Sequence, residues 1–358
     1  MKKIKVLVVD DSAFMRKLIT DFLSEEPQIE IVGTARNGLE AIEKIKMLQP
    51  NVVTLDVEMP VMNGLDALQK IMADEPLPVV MLSSTTSEGA TNTILAMQYG
   101  AVDFIEKPSG PISLDLHKIK QEIISKVIQA SRANLRSFRV TKPNSRTIQY
   151  NSSNSNLKTS KLGTENKLVC IGTSTGGPRA LQQVLTSLPE DFGAPILIVQ
   201  HMPKGFTKSL AARLDSLSKI RVKEAEDGEI VKNGTAYIAP GGYHLTVTKH
   251  KLSLLIKLDQ SPPRRGHRPS VDVMFESISR LDDYERIAVI MTGMGSDGTA
   301  GLKYLKEAGN TVVIAESEET AVIFGMPKSA INANVVDNVV NLDNIAETIM
   351  KYVDGQGV

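Results

Sequence analysis

The chain has no tryptophan and one cysteine, and aromatic residues make up 4% of its 358 positions. A single thiol can form neither an internal disulfide nor a cysteine-based zinc site. Cys170 lies in an apolar run over 167–171 and reads as a small buried core residue. So few aromatics supply little for a base-stacking platform. No apolar run reaches the length of a membrane span. The N-terminus opens with lysines, but its apolar stretch Val6–Val9 ends at two aspartates, too short for a secretory signal. These absences predict a cytoplasmic protein with no direct membrane insertion. Neither charge is in excess, since lysine plus arginine and aspartate plus glutamate number 41 each. That balance argues against a nucleic-acid partner.

What is present is enough hydrophobic sequence, 42%, for two cores, and the length asks for two domains. Short apolar runs at Val6–Val9, Ile29–Gly33, Val52–Leu55, Val79–Ser83 and Ala101–Ile105 alternate with amphipathic stretches such as Ala13–Leu23, Gly38–Met47 and Gly64–Met72. That alternation predicts a parallel sheet with helices on both faces. A last helix is expected from about Leu114 to Asn134. The texture then changes: from Ile123 to Thr164 there is no acidic residue against eight lysines and arginines. Residues 126–166 read as a helix end and a basic, polar linker, a solvated tether or a docking segment for an acidic partner. Strand–helix alternation resumes after Lys167, with strands expected at Leu168–Gly172, Ile196–Gln200, Thr235–Ala239, Leu252–Leu258, Ile287–Thr292 and Thr311–Ala315. A small antiparallel element is expected around Tyr243–Leu258.

Two groups of residues carry chemistry. Asp10 and Asp11 end the first strand, Asp56 the third and Ser83 the fourth, and Lys107 follows the fifth. In an open parallel sheet these strand ends gather at one edge. Three carboxylates there need a cation, and hard oxygen ligands suit magnesium. A lysine and a hydroxyl beside them could hold a phosphoryl group on the remaining carboxylate. Each aspartate alone could merely cap a helix, Asp11 the one beginning near Ser12.

The second group begins at the G-x-S-x-G of 172–176, a strand-to-helix turn with Ser174 at its centre and Pro178 at the helix start. Such a turn can also cradle phosphate. A dinucleotide site, however, wants an acid at the end of the next strand, where Gln200 and His201 stand. His201 is therefore the candidate base, with His267 as fallback among five histidines. Asp297, in a glycine-rich turn after another strand, is the candidate orienting acid, with helix capping as its plainer role. The order Ser, His, Asp differs from the Ser, Asp/Glu, His of α/β-hydrolases.

Residues 1–125 resemble response-regulator receiver domains through Val-Val-Asp-Asp-Ser (8–12), Leu-Asp-Val-Glu-Met-Pro (55–60), Asn-Gly-Leu (63–65) and Glu-Lys-Pro (106–108). Residues 167–355 resemble the catalytic domain of chemotaxis protein-glutamate methylesterases. That likeness is carried by Gly-Thr-Ser-Thr-Gly-Gly (172–177), Gln-His-Met-Pro-Lys-Gly-Phe-Thr (200–207), Ile-Ala-Pro-Gly-Gly-Tyr-His (238–244), Gly-His-Arg-Pro-Ser-Val-Asp-Val (266–273), Thr-Gly-Met-Gly-Ser-Asp-Gly (292–298) and Phe-Gly-Met-Pro (324–327). Thr173 stands where alanine is common. The resemblance implies two doubly wound α/β domains, a flavodoxin-like receiver and a Rossmann-like serine esterase. It implies phosphorylation at Asp56, magnesium held by Asp10, Asp11 and Asp56, and phosphoryl sensing by Ser83, Phe104 and Lys107. It further implies a Ser174–His201–Asp297 triad with an oxyanion site at the Thr175 and Met294 amides, and no cofactor for the esterase step. The implied partners are a chemotaxis histidine kinase as phosphodonor and methyl-accepting chemoreceptors as substrate, whose glutamines would also be deamidated. A receiver joined to a DNA-binding output is disfavoured by the full-length second α/β pattern, and a non-catalytic receptor-binding scaffold by the intact Ser, His, Asp set.

Overall fold

The computed structural model describes residues 3–84, 86–107, 116–135, 166–251 and 253–356. The expected linker lies, but for its ends, outside them, as does Pro108. The N-terminal half runs β1 (Ile4–Val9), α1 (Ala13–Ser24), β2 (Ile29–Ala35), α2 (Gly38–Leu48), β3 (Val52–Asp56), α3 (Gly64–Asp74), β4 (Val79–Ser83), α4 (Ser87–Tyr99), β5 (Asp103–Glu106) and α5 (Leu116–Ala130). Its five strands form a parallel sheet in the order β2-β1-β3-β4-β5, the flavodoxin-like order with a switch point between β1 and β3. β3 and β4 are buried at every position, as strands covered on both faces must be. The cap of α1 is Ser12, whose hydroxyl accepts from the Met15 amide, so Asp11, exposed beside it, is not the cap.

The C-terminal half runs β6 (Asn166–Thr173), α6 (Gly177–Thr186), β7 (Ile196–Gln200), α7 (Phe206–Leu217), β8 (Arg221–Glu224), β9 (Thr235–Ile238), β10 (His244–His250), β11 (Ser253–Asp259), α8 (Val271–Ile278), β12 (Tyr284–Ile290), α9 (Thr299–Glu307), β13 (Thr311–Glu316), α10 (Met326–Asn332), β14 (Asn338–Val340) and α11 (Leu342–Val353). Seven strands pair in parallel in the order β14-β13-β12-β6-β7-β9-β8. This is the doubly wound arrangement with an added edge strand. β6 is central, and the chain reverses direction across the sheet between β6 and β12, where ligands bind in such folds. β10 and β11 form the expected antiparallel hairpin. Cys170 is fully buried in β6. No helix among the described residues is long and apolar enough to cross a membrane.

The two halves meet along one apolar seam. α4 packs on α7 and α6. Phe104 of β5 lies against Phe206 of α7 with ring centroids 4.6 Å apart, and both side chains are buried. Around the rings, Gln98 Oε1 accepts from Arg213 Nε and Nη2 at 3.2 and 3.0 Å. The Asn134 amide donates to the Val322 carbonyl at 2.9 Å.

Candidate active site and phosphoacceptor pocket

At the switch point of the first sheet, Lys107 Nζ sits 2.9 Å from Asp10 Oδ2 and 2.8 Å from Asp56 Oδ2. Candidate ligand oxygens of Asp10, Asp11 and Asp56 all lie within 4.8 Å of one another. Burial is the main force on Asp56 and outweighs Lys107, so its carboxyl is pushed up to about 6. A hard, oxygen-only donor set of this charge fits magnesium. Gly64 shapes the pocket: a Cβ there would fall 2.0 Å from the Asp56 carbonyl oxygen, so only glycine lets α3 start against the backbone of β3. Ser83 is fully buried at the end of β4. Its hydroxyl donates to the Gly89 carbonyl at 3.1 Å and accepts from Thr93 Oγ1 at 2.6 Å, tying it to α4.

In the second sheet, Ser174 follows β6, His201 follows β7, and Asp297 follows β12. Two small residues bring the first turn into place. Gly176 adopts φ +79°, and a Cβ on Gly177 would fall 2.0 Å from Gln200 Oε1. Gln200 Nε2 in turn donates to the Ser174 and His201 carbonyls at 3.0 and 3.1 Å, so the glutamine that disfavours a dinucleotide cofactor locks the Ser174 turn to His201. Thr292 closes the set. Its carbonyl accepts the Ser174 amide at 3.0 Å, and its hydroxyl donates to the Thr175 carbonyl at 2.9 Å.

His201 Nε2 lies 2.7 Å from Asp297 Oδ2. Nε2 therefore carries the proton and Nδ1, buried without a partner, is the nitrogen left to act as base. Asp297 is 3% exposed. Its Oδ1 accepts the Ser270 hydroxyl at 2.9 Å and the Asp272 and Gly298 amides at 3.1 Å each. Its Oδ2 accepts the Val271 amide at 2.8 Å. Burial alone would raise this carboxyl; the His201 hydrogen bond and charge and the α8 amides overcome it and hold the group well below the ordinary carboxylate range. Asp297 thus caps α8, not the helix that follows it.

Ser174, Thr175, His201 and Met294 line one cavity of about 540 Å³. A Cβ on Gly293 would come within 2.8 Å of Ser174 Cβ, so the next amide, that of Met294, stands beside Ser174. Neither the Thr175 nor the Met294 amide has an acceptor in the described backbone network. No hydrogen bond joins Ser174 Oγ to His201 among the described residues. Such bonds often tighten only with substrate in place. His267 is also here, its ring stacked on His201 with centroids 3.9 Å apart and planes 1° from parallel. Burial, then the neighbouring His201, pushes His267 down to about 4. His267 is therefore a neutral wall against the His201 ring. His244 is buried in β10, its Nε2 facing the Pro262 carbonyl at 3.3 Å.

The cavity's other wall belongs to the first domain: Asp103, Glu122, Ser125, Lys126 and Gln129. Asp103 Oδ2 accepts the Thr175 hydroxyl at 2.5 Å. Lys126 Nζ bonds the Phe104 carbonyl and pairs with Asp103 at 3.3 Å and Glu122 at 3.0 Å. Gln200, Ser270 and Thr292 fall inside the quoted motifs without being singled out as site residues, and Asp103 lies in a strand run outside them.

A flavodoxin-like sheet with an acidic pocket, its last strand and helix walling the cavity of a second α/β sheet, defines a response regulator whose output domain is a hydrolase. The profile of the response regulator receiver domain matches residues 6–118, and that of the CheB methylesterase matches residues 169–349. The chain is 64% identical over 353 residues to a protein-glutamate methylesterase/protein-glutamine glutaminase of Geobacillus kaustophilus, covering 99% of both chains. It is 53% identical over 360 residues to the protein of the same name in Bacillus subtilis, covering 99% of this chain and 100% of that one. The crystal structure of the Thermotoga maritima CheB methylesterase catalytic domain superposes with a TM-score of 0.51 at 48% identity, covering 52% of this chain and 98% of that one. The chain belongs to the CheB methylesterase family, with its esterase domain joined to a response-regulator receiver domain.

Proposed function

We propose that Ser174 attacks the γ-carbonyl of a glutamate methyl ester on a chemoreceptor while His201 Nδ1 takes its proton. Asp297 keeps Nε2 protonated and steadies the imidazolium that forms. The Thr175 and Met294 amides receive the oxyanion. His201 returns the proton to the leaving methoxide, methanol departs, and water opens the γ-glutamyl ester on Ser174 to give glutamate. A receptor glutamine passes through the same steps with ammonia leaving. The observation that carries this reading is the 2.7 Å His201–Asp297 pair, with His201 and Ser174 lining one cavity.

Regulation follows from the wall that the receiver supplies. Asp103 and α5 close one side of the cavity, and the Thr175 hydroxyl is engaged by Asp103. Asp10, Asp11 and Asp56 would hold magnesium, which supplies charge neutralisation for phosphoryl transfer from a histidine kinase to Asp56. Phosphorylation would draw Ser83 and Lys107 to the phosphoryl group. Ser83 would then release α4, Phe104 would leave Phe206, and the population would shift toward an open cavity. The protein works in the cytoplasm, where a kinase and the receptors' cytoplasmic helices would meet it.

The test is methanol release from methylated receptor membranes by wild type, Ser174→Ala and Asp56→Asn, with and without a small-molecule phosphodonor. Ser174→Ala should abolish release, and Asp56→Asn should lose only the response to the phosphodonor. Full activity in a folded Ser174→Ala would end the nucleophile assignment.

A further inference from the structure

Two helices begin at Asp297, and each takes its cap from the other. α9 has glycine at its N-cap and no side-chain cap of its own. Its acceptor comes from α8, where Asp272 Oδ1 takes the Gly298 amide at 2.9 Å and the Gly301 amide at 2.8 Å. In return Asp297, one residue before that N-cap, reaches the start of α8 and takes the Val271 and Asp272 amides. The exchange needs the helix starts almost in contact. A Cβ on Gly298 would meet Val271 Cγ1 at 2.8 Å, and one on Gly301 would meet Phe275 Cβ at 2.6 Å.

Asp272 is fully buried and takes no part in lining the cavity. Its second oxygen has no hydrogen-bond partner. Burial, with the Asp297 charge acting in the same direction, outweighs the Gly301 amide and pushes its carboxyl up. A buried acid beside the triad's acid is a costly way to cap one helix. Ser270 already caps α8 through the Val273 amide, so Asp272 is not needed there either. What it does is hold the Gly301 amide and, together with Asp297 Oδ1 at 3.1 Å, the Gly298 amide.

We propose that Asp272 is a positioning residue for ester hydrolysis: by holding the Gly298 and Gly301 amides it fixes the turn that carries Asp297, and through Asp297 the plane of the His201 ring. The inference rests on the Ser174–His201–Asp297 reading. It makes a distinction that simple capping does not. A structural cap would change melting temperature and leave turnover of the folded enzyme alone. A positioning residue changes kcat at constant KM, because the ester's binding surface is untouched.

The experiment is steady-state methanol release from methylated receptor membranes by the full-length chain, comparing Asp272→Ala and Asp272→Asn with wild type, and Ser174→Ala as control. Asp272→Ala should lose about tenfold or more in kcat with KM within about twofold. Asp272→Asn keeps a carbonyl acceptor for both amides and should stay within about threefold of wild type. If Asp272→Ala is not recovered folded, Asp272→Ser, whose hydroxyl is too short to span both amides, takes its place with the same expected loss. A folded alanine or serine variant with wild-type kcat would overturn the proposal, as would an asparagine variant as impaired as the alanine one. An active Ser174→Ala would instead bring down the triad on which the proposal stands, so the two failures are distinguishable.

Discussion

Replacing Asp297 by asparagine is the sharpest perturbation the site offers, because the two carboxylate oxygens have different work. Oδ1 accepts three donors, from Ser270, Asp272 and Gly298, and Oδ2 accepts the Val271 amide and His201 Nε2. An asparagine keeps most of these bonds by leaving its carbonyl at the Oδ1 position. Its NH₂ then faces His201 and the Val271 N–H. The amide can only donate to His201 Nε2, so the ring proton moves to Nδ1 and the nitrogen free to act as base is lost. In Ser-His-Asp hydrolases this wrong-tautomer effect costs about 10⁴ in kcat, or about 5.5 kcal/mol at 1.36 kcal/mol per tenfold. Stability should fall less, by about 1–3 kcal/mol, for the one buried amide left facing a donor. Initial rates of methanol release with the purified full-length variant, alongside its melting temperature, measure both. A folded Asp297→Asn enzyme within tenfold of wild type would refute the tautomer argument.

Other outcomes follow from the same geometry. Asp103→Ala removes the acceptor of the Thr175 hydroxyl at the domain seam, a bond to a carboxylate worth about 1.5–3 kcal/mol. Basal activity without phosphodonor should rise several-fold, and an unchanged basal rate would argue against this contact as a restraint. Asp56 has its folded pKa raised to about 6 from 3.8, so the folded state binds the extra proton and stability falls as pH rises from about 4 to about 6. Asp56→Asn should flatten that dependence and raise the melting temperature at pH 7.5. Magnesium should raise the melting temperature of wild type and leave Asp56→Asn nearly unmoved. His267 has the opposite sign. Its folded pKa is lowered to about 4 from 6.5, so the stability it confers is complete above pH 6.5 and is lost on acidification through that interval, by ~2–3 kcal/mol. Chemical denaturation of His267→Gln at pH 4.5 and 7.5 should show the smaller difference.

Much of this was legible in the sequence because parallel strands buried on both faces announce themselves as continuous apolar runs. The residues that end those runs gather at one edge of each sheet by topology alone: Asp10, Asp56 and Ser83 in the first, Ser174 and His201 in the second. Elements with weaker patterns escaped: β8 and β14 are short edge strands of mixed polarity, and α4, with Thr91, Asn92 and Thr93 at its centre, lacks a clear apolar stripe. The seam between domains was also illegible. Nothing in a sequence says that Phe104 will lie on Phe206 or that Asp103 will meet Thr175, since those contacts depend on how two finished folds dock. Asp297 was found for its place at a strand end, but its hold on α8 depends on a helix start more than twenty residues upstream in the chain.

The proposed reaction passes through a covalent intermediate on Ser174. Full-length protein activated with a phosphodonor would be mixed with a methylated receptor-helix peptide, quenched in acid within the first turnover, digested and mapped by mass spectrometry. The structure predicts the peptide joined through its γ-glutamyl carbonyl to the fragment carrying Ser174, and no such adduct in Ser174→Ala. Methanol released at the normal rate by the wild type, with the adduct on another residue or with the same adduct persisting in Ser174→Ala, would contradict it.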